Sequence, residues 1–364
     1  MNTLTDPVTG DQMVDVLATI APELLNQKCL DHGFVKILDC MPRLVPLPKV
    51  DGGGPNDNGV PSCDFAIADA ARISYQKGTR KVSADAGLID HLIRNQHTSP
   101  IEMGELKFHI RLPIFVMRQH VRHRTASLNE ESARYSELAS DFYIPDAKDW
   151  ALNTAADKQA TVKYSISPLQ AQCLHDMLKK HNDLSYSLYQ QFLEGSLDGE
   201  LGDSRYGGSS NAQPFNGQSP LDQLLAKVPI AREQARAVLG VNIYTQCVWK
   251  IDLKNMLHYL KLRTDKHAQY EIRVFADAMA RVVDALFPRS WESHKDNFID
   301  GVNFSGKELI VLNGILNGFE LNAVTSSGWT KRRFDEFAGK LRRSKLVSDE
   351  KIVNIIHEVW PSAV

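Results

Sequence analysis

Arg118-Gln119-His120-Val121-Arg122-His123-Arg124-Thr125-Ala126-Ser127-Leu128-Asn129-Glu130-Glu131-Ser132-Ala133-Arg134-Tyr135-Ser136-Glu137 decides how the rest of the chain is read. Four arginines and two histidines crowd into it, just after a segment with the pattern of a strand. Glu105 to Leu112 alternates, with Leu106, Phe108, Ile110 and Leu112 on one face. Pro113 suits the first turn of a following helix, so the cluster begins on a strand-to-helix junction. Its second half, Ser127 to Tyr135, has little amphipathic order and reads as a loop or irregular turn. Unpaired charge near a core is costly, so this density of guanidiniums asks for an anionic ligand.

The 364 residues suffice for one large domain or two, and the 43% hydrophobic and 24% charged residues are ordinary for a globular chain. A net charge of -2 argues against broad attraction to nucleic acid or to an anionic membrane. The arginine cluster is therefore local, and suited to small phosphorylated ligands. No apolar run approaches the ~18 to 20 residues of a membrane span, and the N-terminus lacks a basic stretch followed by an apolar one. Cys29, Cys40, Cys63, Cys173 and Cys247 show no CxxC spacing, which fits a reducing compartment better than a disulfide frame or a zinc site. The expected location is cytoplasmic, with neither a membrane nor nucleic acid as partner.

Residues 51–61, rich in Gly, Asn and Pro, form a loop by composition, and no Gly-Lys-Ser/Thr follows to make it a phosphate loop. Helical spacing covers Cys63 to Ser74, Asp85 to Asn95, Ser167 to Leu193, Ala231 to Val238 and Leu253 to Arg263. A longer helix carries Ala268, Ile272, Phe275, Met279, Val283 and Leu286 down one face. Gly195 to Ser219 reads as a surface insertion. Beyond Pro288 the composition changes, and residues 305–364 show two or three short helical patterns. Their basic stretch, Lys331-Arg332-Arg333 with Arg342-Arg343, fits a solvated helix face better than a DNA-binding helix pair.

Three chemistries compete for the central cluster. His120-x-x-His123 has a spacing that a metal could use, but Arg118, Arg122 and Arg124 would repel a divalent ion, so no metal is expected. Ser127, Ser132 or Ser136 as a nucleophile lacks a G-x-S-x-G elbow, and no cysteine lies nearby. Phosphate recognition fits best, because arginine presents a planar fork of donors and stays charged. An Arg/Glu ion-pair network between subunits remains open.

Residue order says more than composition does. Arg122-His123-Arg124, then Ser127-x-Asn129-Glu130-x-Ser132-x-Arg134-Tyr135-Ser136, resembles the signature of the flavin-dependent thymidylate synthases. Four further segments resemble that family in the right order: Ala71-Arg72-Ile73-Ser74, His97-Thr98-Ser99-Pro100-Ile101-Glu102, Ala235-Arg236-x-Val238-Leu239, and Leu262-Arg263-x-Asp265-x-His267-Ala268-Gln269-x-Glu271-Ile272. The resemblance covers roughly residues 30–290. It implies an α+β fold with a mixed central sheet flanked by helices. It also implies reductive methylation of dUMP to dTMP with FAD, NADPH and 5,10-methylenetetrahydrofolate, without a cysteine nucleophile. FAD would meet Ser99, Glu102, Arg122, His123, Arg124, Thr125, Glu130 and His258. The nucleotide dUMP would meet Gln119, Glu130, Ser132, Arg134, Arg236 and Arg263, with Arg263 against the uracil ring as the catalytic cation. Sites would be shared between subunits of a homotetramer.

Two positions depart from the family. Asp252 and His258 stand where flavin-contacting asparagines are common, which puts those contacts in question. A catalytic domain over 1–290 is expected, interrupted near 51–61 and 195–219, with a small helical extension over 291–364. Methylation or hydroxymethylation of UMP, and a non-catalytic flavin- or nucleotide-binding role in regulation, are the alternatives.

Overall fold

The structure, a computed structural model, describes residues 3–7, 9–47, 61–73, 85–150, 166–195, 228–317 and 329–359. Ser74, the glycine-rich loop up to residue 60 and the insertion beyond Gly195 lie outside the described residues. The chain divides into two compact units, Met1–Trp291 and Glu292–Val364.

Along the chain as far as His294 the elements run β1 (Thr3–Thr5), β2 (Gln12–Asp15), α1 (Pro22–Leu25), β3 (Asn26–Cys29), β4 (Gly33–Met41), β5 (Leu44–Pro46), α2 (Asp64–Ile73), α3 (Asp85–Arg94), α4 (Thr98–Ile101), β6 (Glu105–Pro113), α5 (Ile114–His120), β7 (Ser127–Glu130), α6 (Pro168–Glu194), α7 (Arg232–Ala235), β8 (Tyr244–Asp252), α8 (Leu253–Arg263), α9 (Tyr270–Leu286) and α10 (Pro288–His294). β1, β2 and β5 make a small sheet. The main sheet has the order β3-β4-β6-β8-β7, and all its neighbours are antiparallel.

The alternation of β6 sets the sheet's buried face. Leu106, Phe108, Ile110 and Leu112 lie opposite Ile251, Trp249, Cys247 and Thr245 of β8, and all eight are buried. α9 contacts β3, β4, α5 and α8 and buries Ile272, Phe275, Met279, Val283 and Leu286, at ~1.5 to 3 kcal/mol per large side chain. The first residue of β4, Gly33, has no room for a side chain: a Cβ there would stand 2.6 Å from the Cys29 carbonyl and 2.9 Å from the Phe275 ring. Buried Asp64, the first residue of α2, accepts from the Ser290 hydroxyl (2.6 Å) and from the amides of Arg289 (2.8 Å) and Ser290 (3.1 Å), tying α2 to the start of α10.

Three expectations need correction. Pro113 is not in the helix: it ends β6 with extended backbone (φ -63°, ψ 147°), and α5 starts at Ile114. Ser127 to Glu130 is not loop but an edge strand on β8, with every side chain exposed. Ala231 to Val238 is one short α-turn followed by a 3-10 turn at Arg236–Val238.

The second unit holds α11 (Gly306–Asn317), α12 (Lys331–Ser344) and α13 (Asp349–Val359). Val311, Leu312, Ile315, Trp329, Phe334, Phe337, Leu341 and Ile352 form a core of its own. The basic stretch is engaged locally: Arg332 pairs with Glu336 at 3.1 Å and Arg333 lies over Trp329 at 5.0 Å. Among the described residues no helix is long and apolar enough to cross a membrane.

Candidate active site

The site grows from the end of β8, where the chain turns into α8. Asp252 N-caps this helix: one carboxylate oxygen accepts from the Asn255 amide at 2.9 Å and the other from the Asn255 side chain at 2.7 Å. Helical spacing then places His258, Tyr259 and Arg263 along the helix. Tyr259 is buried and packs at a tilt against Trp249 of β8, with ring centroids 5.3 Å apart. α5 delivers His120 edge-on to both rings, 4.3 Å from Trp249 and 5.3 Å from Tyr259. Burial, then the charges of His123 and Arg263, push the His120 imidazole down to about 3, so it is neutral.

His123 completes the group. Its ring lies edge-on to Tyr259 at 4.7 Å and 6.2 Å from His258, and its Nε2 accepts from Arg263 Nε at 3.0 Å. A ring nitrogen that accepts from a guanidinium carries no proton, so His123 is the neutral tautomer protonated at Nδ1. Burial first, then Arg263 and His258, hold it down to about 4. The guanidinium is thus fixed through Nε, and its two Nη groups have no protein partner among the described residues.

The arginines of the cluster are not near a core. Arg118, Arg122 and Arg124 are exposed, and none has a carboxylate partner among the described residues. Arg124 and Glu130, close enough in sequence to pair, form no ion pair. Glu130, also exposed, accepts instead from the Thr245 hydroxyl at 2.9 Å.

A second group surrounds Glu233. Arg134 pairs with its carboxylate at 3.1 Å, and Arg236 Nε donates to its carbonyl at 3.4 Å. Ser132 Oγ accepts from the Arg134 amide at 3.3 Å. Between Ser132 and Arg134, Ala133 is buried with Leu138, Phe142 and Ile243, pinning the segment. α6 supports it from behind: Tyr186 donates to the Leu138 carbonyl at 3.0 Å and Tyr189 accepts from the Leu138 amide at 3.4 Å.

Gln119 belongs to a third group, donating to Gln269 Oε1. Exposed Ser99 on α4 and Glu102 at its end sit on an element that contacts α8. Thr125 is exposed between α5 and β7. Among the described residues no hydrogen bond or ion pair joins the three groups to one another. The sequence alone assigns no role to Trp249, Tyr259, Thr245, Glu233 or Gln269. The alternation of Thr245, Cys247, Trp249 and Ile251, the same pattern as in β6, is the signal that could have found Trp249 and Thr245. Cys247, whose backbone pairs with Glu130, is buried, and its thiol is pushed up to about 12, chiefly by burial, so it is no thiolate nucleophile at neutral pH.

A cluster of aromatic rings next to a guanidinium held by His123, with exposed arginines on the same segment as His123, offers surfaces suited to planar, phosphorylated ligands. The family described as "Thymidylate synthase complementing protein" matches residues 60–289. A flavin-dependent thymidylate synthase of Rickettsia bellii is 38% identical over 315 residues, covering 86% of this chain and 93% of that relative. One from Ehrlichia ruminantium is 37% identical, covering 90% and 93%. Among solved structures, the UMP/dUMP methylase PolB of Streptomyces cacaoi, bound with 5-Br UMP, aligns with a TM-score of 0.53 and 26% identity. It covers 76% of this chain and 98% of its own. The chain belongs to the flavin-dependent thymidylate synthases.

Proposed function

We propose that this enzyme reductively methylates dUMP to dTMP, using FAD, NADPH and 5,10-methylenetetrahydrofolate. The observation that carries the reading is Arg263. Anchored through Nε on neutral His123, it presents two free Nη groups among the described residues. A cation held there stabilises negative charge that develops on the uracil ring as carbon is added, the general logic of preorganised electrostatics.

The residues present fit both phosphorylated ligands. Arg122 and Arg124, exposed and unpaired among the described residues, suit the pyrophosphate of FAD, with Ser99, Glu102, His123, Thr125, Glu130 and His258 around it. The flavin supplies hydride chemistry that no side chain here offers. Ser132, Arg134 and Arg236 suit the dUMP phosphate, and Gln119 and Glu130 its uridine. The Arg134–Glu233 pair is over half exposed on both sides, so it holds the guanidinium by no more than ~1 kcal/mol and yields to a phosphate.

That so many of these groups are exposed on one chain supports a homotetramer in which other copies complete each site. Sedimentation of the FAD-loaded protein should give four times the chain mass, and an active monomer would refute this. Residues 1–290 are assigned as catalytic and 291–364 as a helical extension. The family match ending at residue 289 and the unit boundary after Trp291 support that division. A cytoplasmic location goes with these substrates.

The test is optical and chemical. The purified protein should be yellow, NADPH should bleach it, dUMP should perturb its spectrum, and product mass should show one added methyl group. A protein that takes up no flavin on reconstitution would overturn the reading. The UMP/dUMP methylase among the structural neighbours also favours a second one, in which UMP is accepted too. Turnover of dUMP measured against UMP separates the two.

A further inference from the structure

We infer that Glu271 and Gln269 are positioning residues that lock the Gln119 amide in one orientation and thereby make the site select uracil over cytosine. The inference deepens the reading above, resting on Gln119 meeting the pyrimidine. Four side chains form a line. Tyr143 OH donates to Glu271 Oε1 at 3.3 Å, Gln269 Nε2 donates to Glu271 Oε2 at 2.7 Å, and Gln119 Nε2 donates to Gln269 Oε1. The polarity of the line follows from its end. An ionised carboxylate can only accept, and Glu271 in the first turn of α9 sits where a helix N-terminus favours negative charge. Gln269 must therefore turn its NH2 toward Glu271, which leaves its carbonyl facing Gln119. Gln119 must then turn its own NH2 inward and present its carbonyl outward. Nothing else among the described residues bonds the Gln119 side chain.

An unanchored primary amide reads either base, because rotating it by half a turn exchanges donor and acceptor. Uracil offers a donor at N3; cytosine offers an acceptor there and a donor at the exocyclic amine. A Gln119 carbonyl fixed outward accepts from uracil N3–H and opposes the lone pair of cytosine N3. Discrimination of this kind is set by polar groups left unpaired or opposed, and it commonly reaches about a hundredfold or more.

The experiment uses the full-length, FAD-loaded protein, with dUMP and dCMP binding measured by equilibrium dialysis and flavin absorbance confirming the fold. The wild type should favour dUMP by at least about 100-fold. E271Q replaces the acceptor-only end with an amide that can face either way, and the preference should fall to within about tenfold. Combining E271Q with Q269E moves the carboxylate one place along the line. Gln119 again meets an acceptor-only partner, and the preference should return. A merely structural role for Glu271 predicts no such rescue. An unchanged dUMP:dCMP ratio in E271Q, or a lost ratio that Q269E fails to restore, overturns the inference and leaves the proposed function standing. A wild type that binds flavin but neither nucleotide overturns both.

Discussion

Arg263 and His123 depend on each other, and their dependence is measurable. Removing the guanidinium takes away the hydrogen bond to His123 Nε2 and, on the proposed function, the charge that would face the pyrimidine. Arg263→Ala should leave FAD bound while turnover falls by about 100- to 1,000-fold, the scale of losing one preorganised electrostatic donor; unchanged turnover would remove Arg263 from the site. The histidines also tie stability to pH. His120 and His123 titrate near 3 and 4 in the fold against 6.5 ordinarily, chiefly because both are buried. Below about pH 6.5 the unfolded chain therefore takes up protons that the folded one refuses. Stability should be fully present above that pH and should drop as pH falls toward 4, each tenfold weakening of proton affinity being worth about 1.4 kcal/mol. His120→Phe should flatten this acid limb in urea unfolding curves at pH 5 and pH 7. An equally steep limb in the variant would assign it to other groups.

At the scale of elements, α8 links the sheet to the site, and Asp252 governs its first turn. Asp252→Ala should lower stability by about 1 kcal/mol through loss of the cap, with flavin affinity little changed. A variant that melts normally but releases FAD would instead make Asp252 a flavin contact. The sequence made some elements plain and hid others for physical reasons. β6 and α9 announce themselves because their apolar periods run uninterrupted to a buried face. β8 has the same period, but Thr245 and Cys247 dilute its apolar signal. β7 is invisible locally: its four residues are all exposed, and only pairing with β8, over a hundred residues downstream, makes them a strand. The N-terminal strands of three or four residues are too short to show a period. The site residues were legible only through the order of their types. The Arg263–His123 bond spans 140 positions and exists because α5 and α8 both bring aromatic rings against Trp249.

Over the whole molecule, charge is both left at the surface and buried with partners. In the first unit, Arg118, Arg122 and Arg124 of the central cluster stand exposed and without a carboxylate partner among the described residues. In the second, a charge is buried and matched: Glu308, 5% exposed, meets Lys340 at 2.8 Å. Burial raises the Glu308 carboxyl, but Lys340 and the Ser305 amide outweigh it and hold the group below the usual carboxylate range. Lys340→Met would strand that carboxylate. It should cost the second unit about 2 kcal/mol, less than a fully buried pair because Lys340 is a quarter exposed. Calorimetry should show the loss while the flavin spectrum stays unchanged; a variant as stable as the parent would show that the pair contributes nothing.

Trp249 has one more consequence, in light. Its indole is 1% exposed and packed between His120 and Tyr259, and Tyr259 in turn meets the ring of His123. A flavin placed at His123 absorbs where an indole emits, so excitation of Trp249 would drain into the cofactor. The emission of this one residue, isolated by comparison with a Trp249→Phe variant, would then serve as a gauge of site occupancy that dims as FAD enters and consumes no substrate.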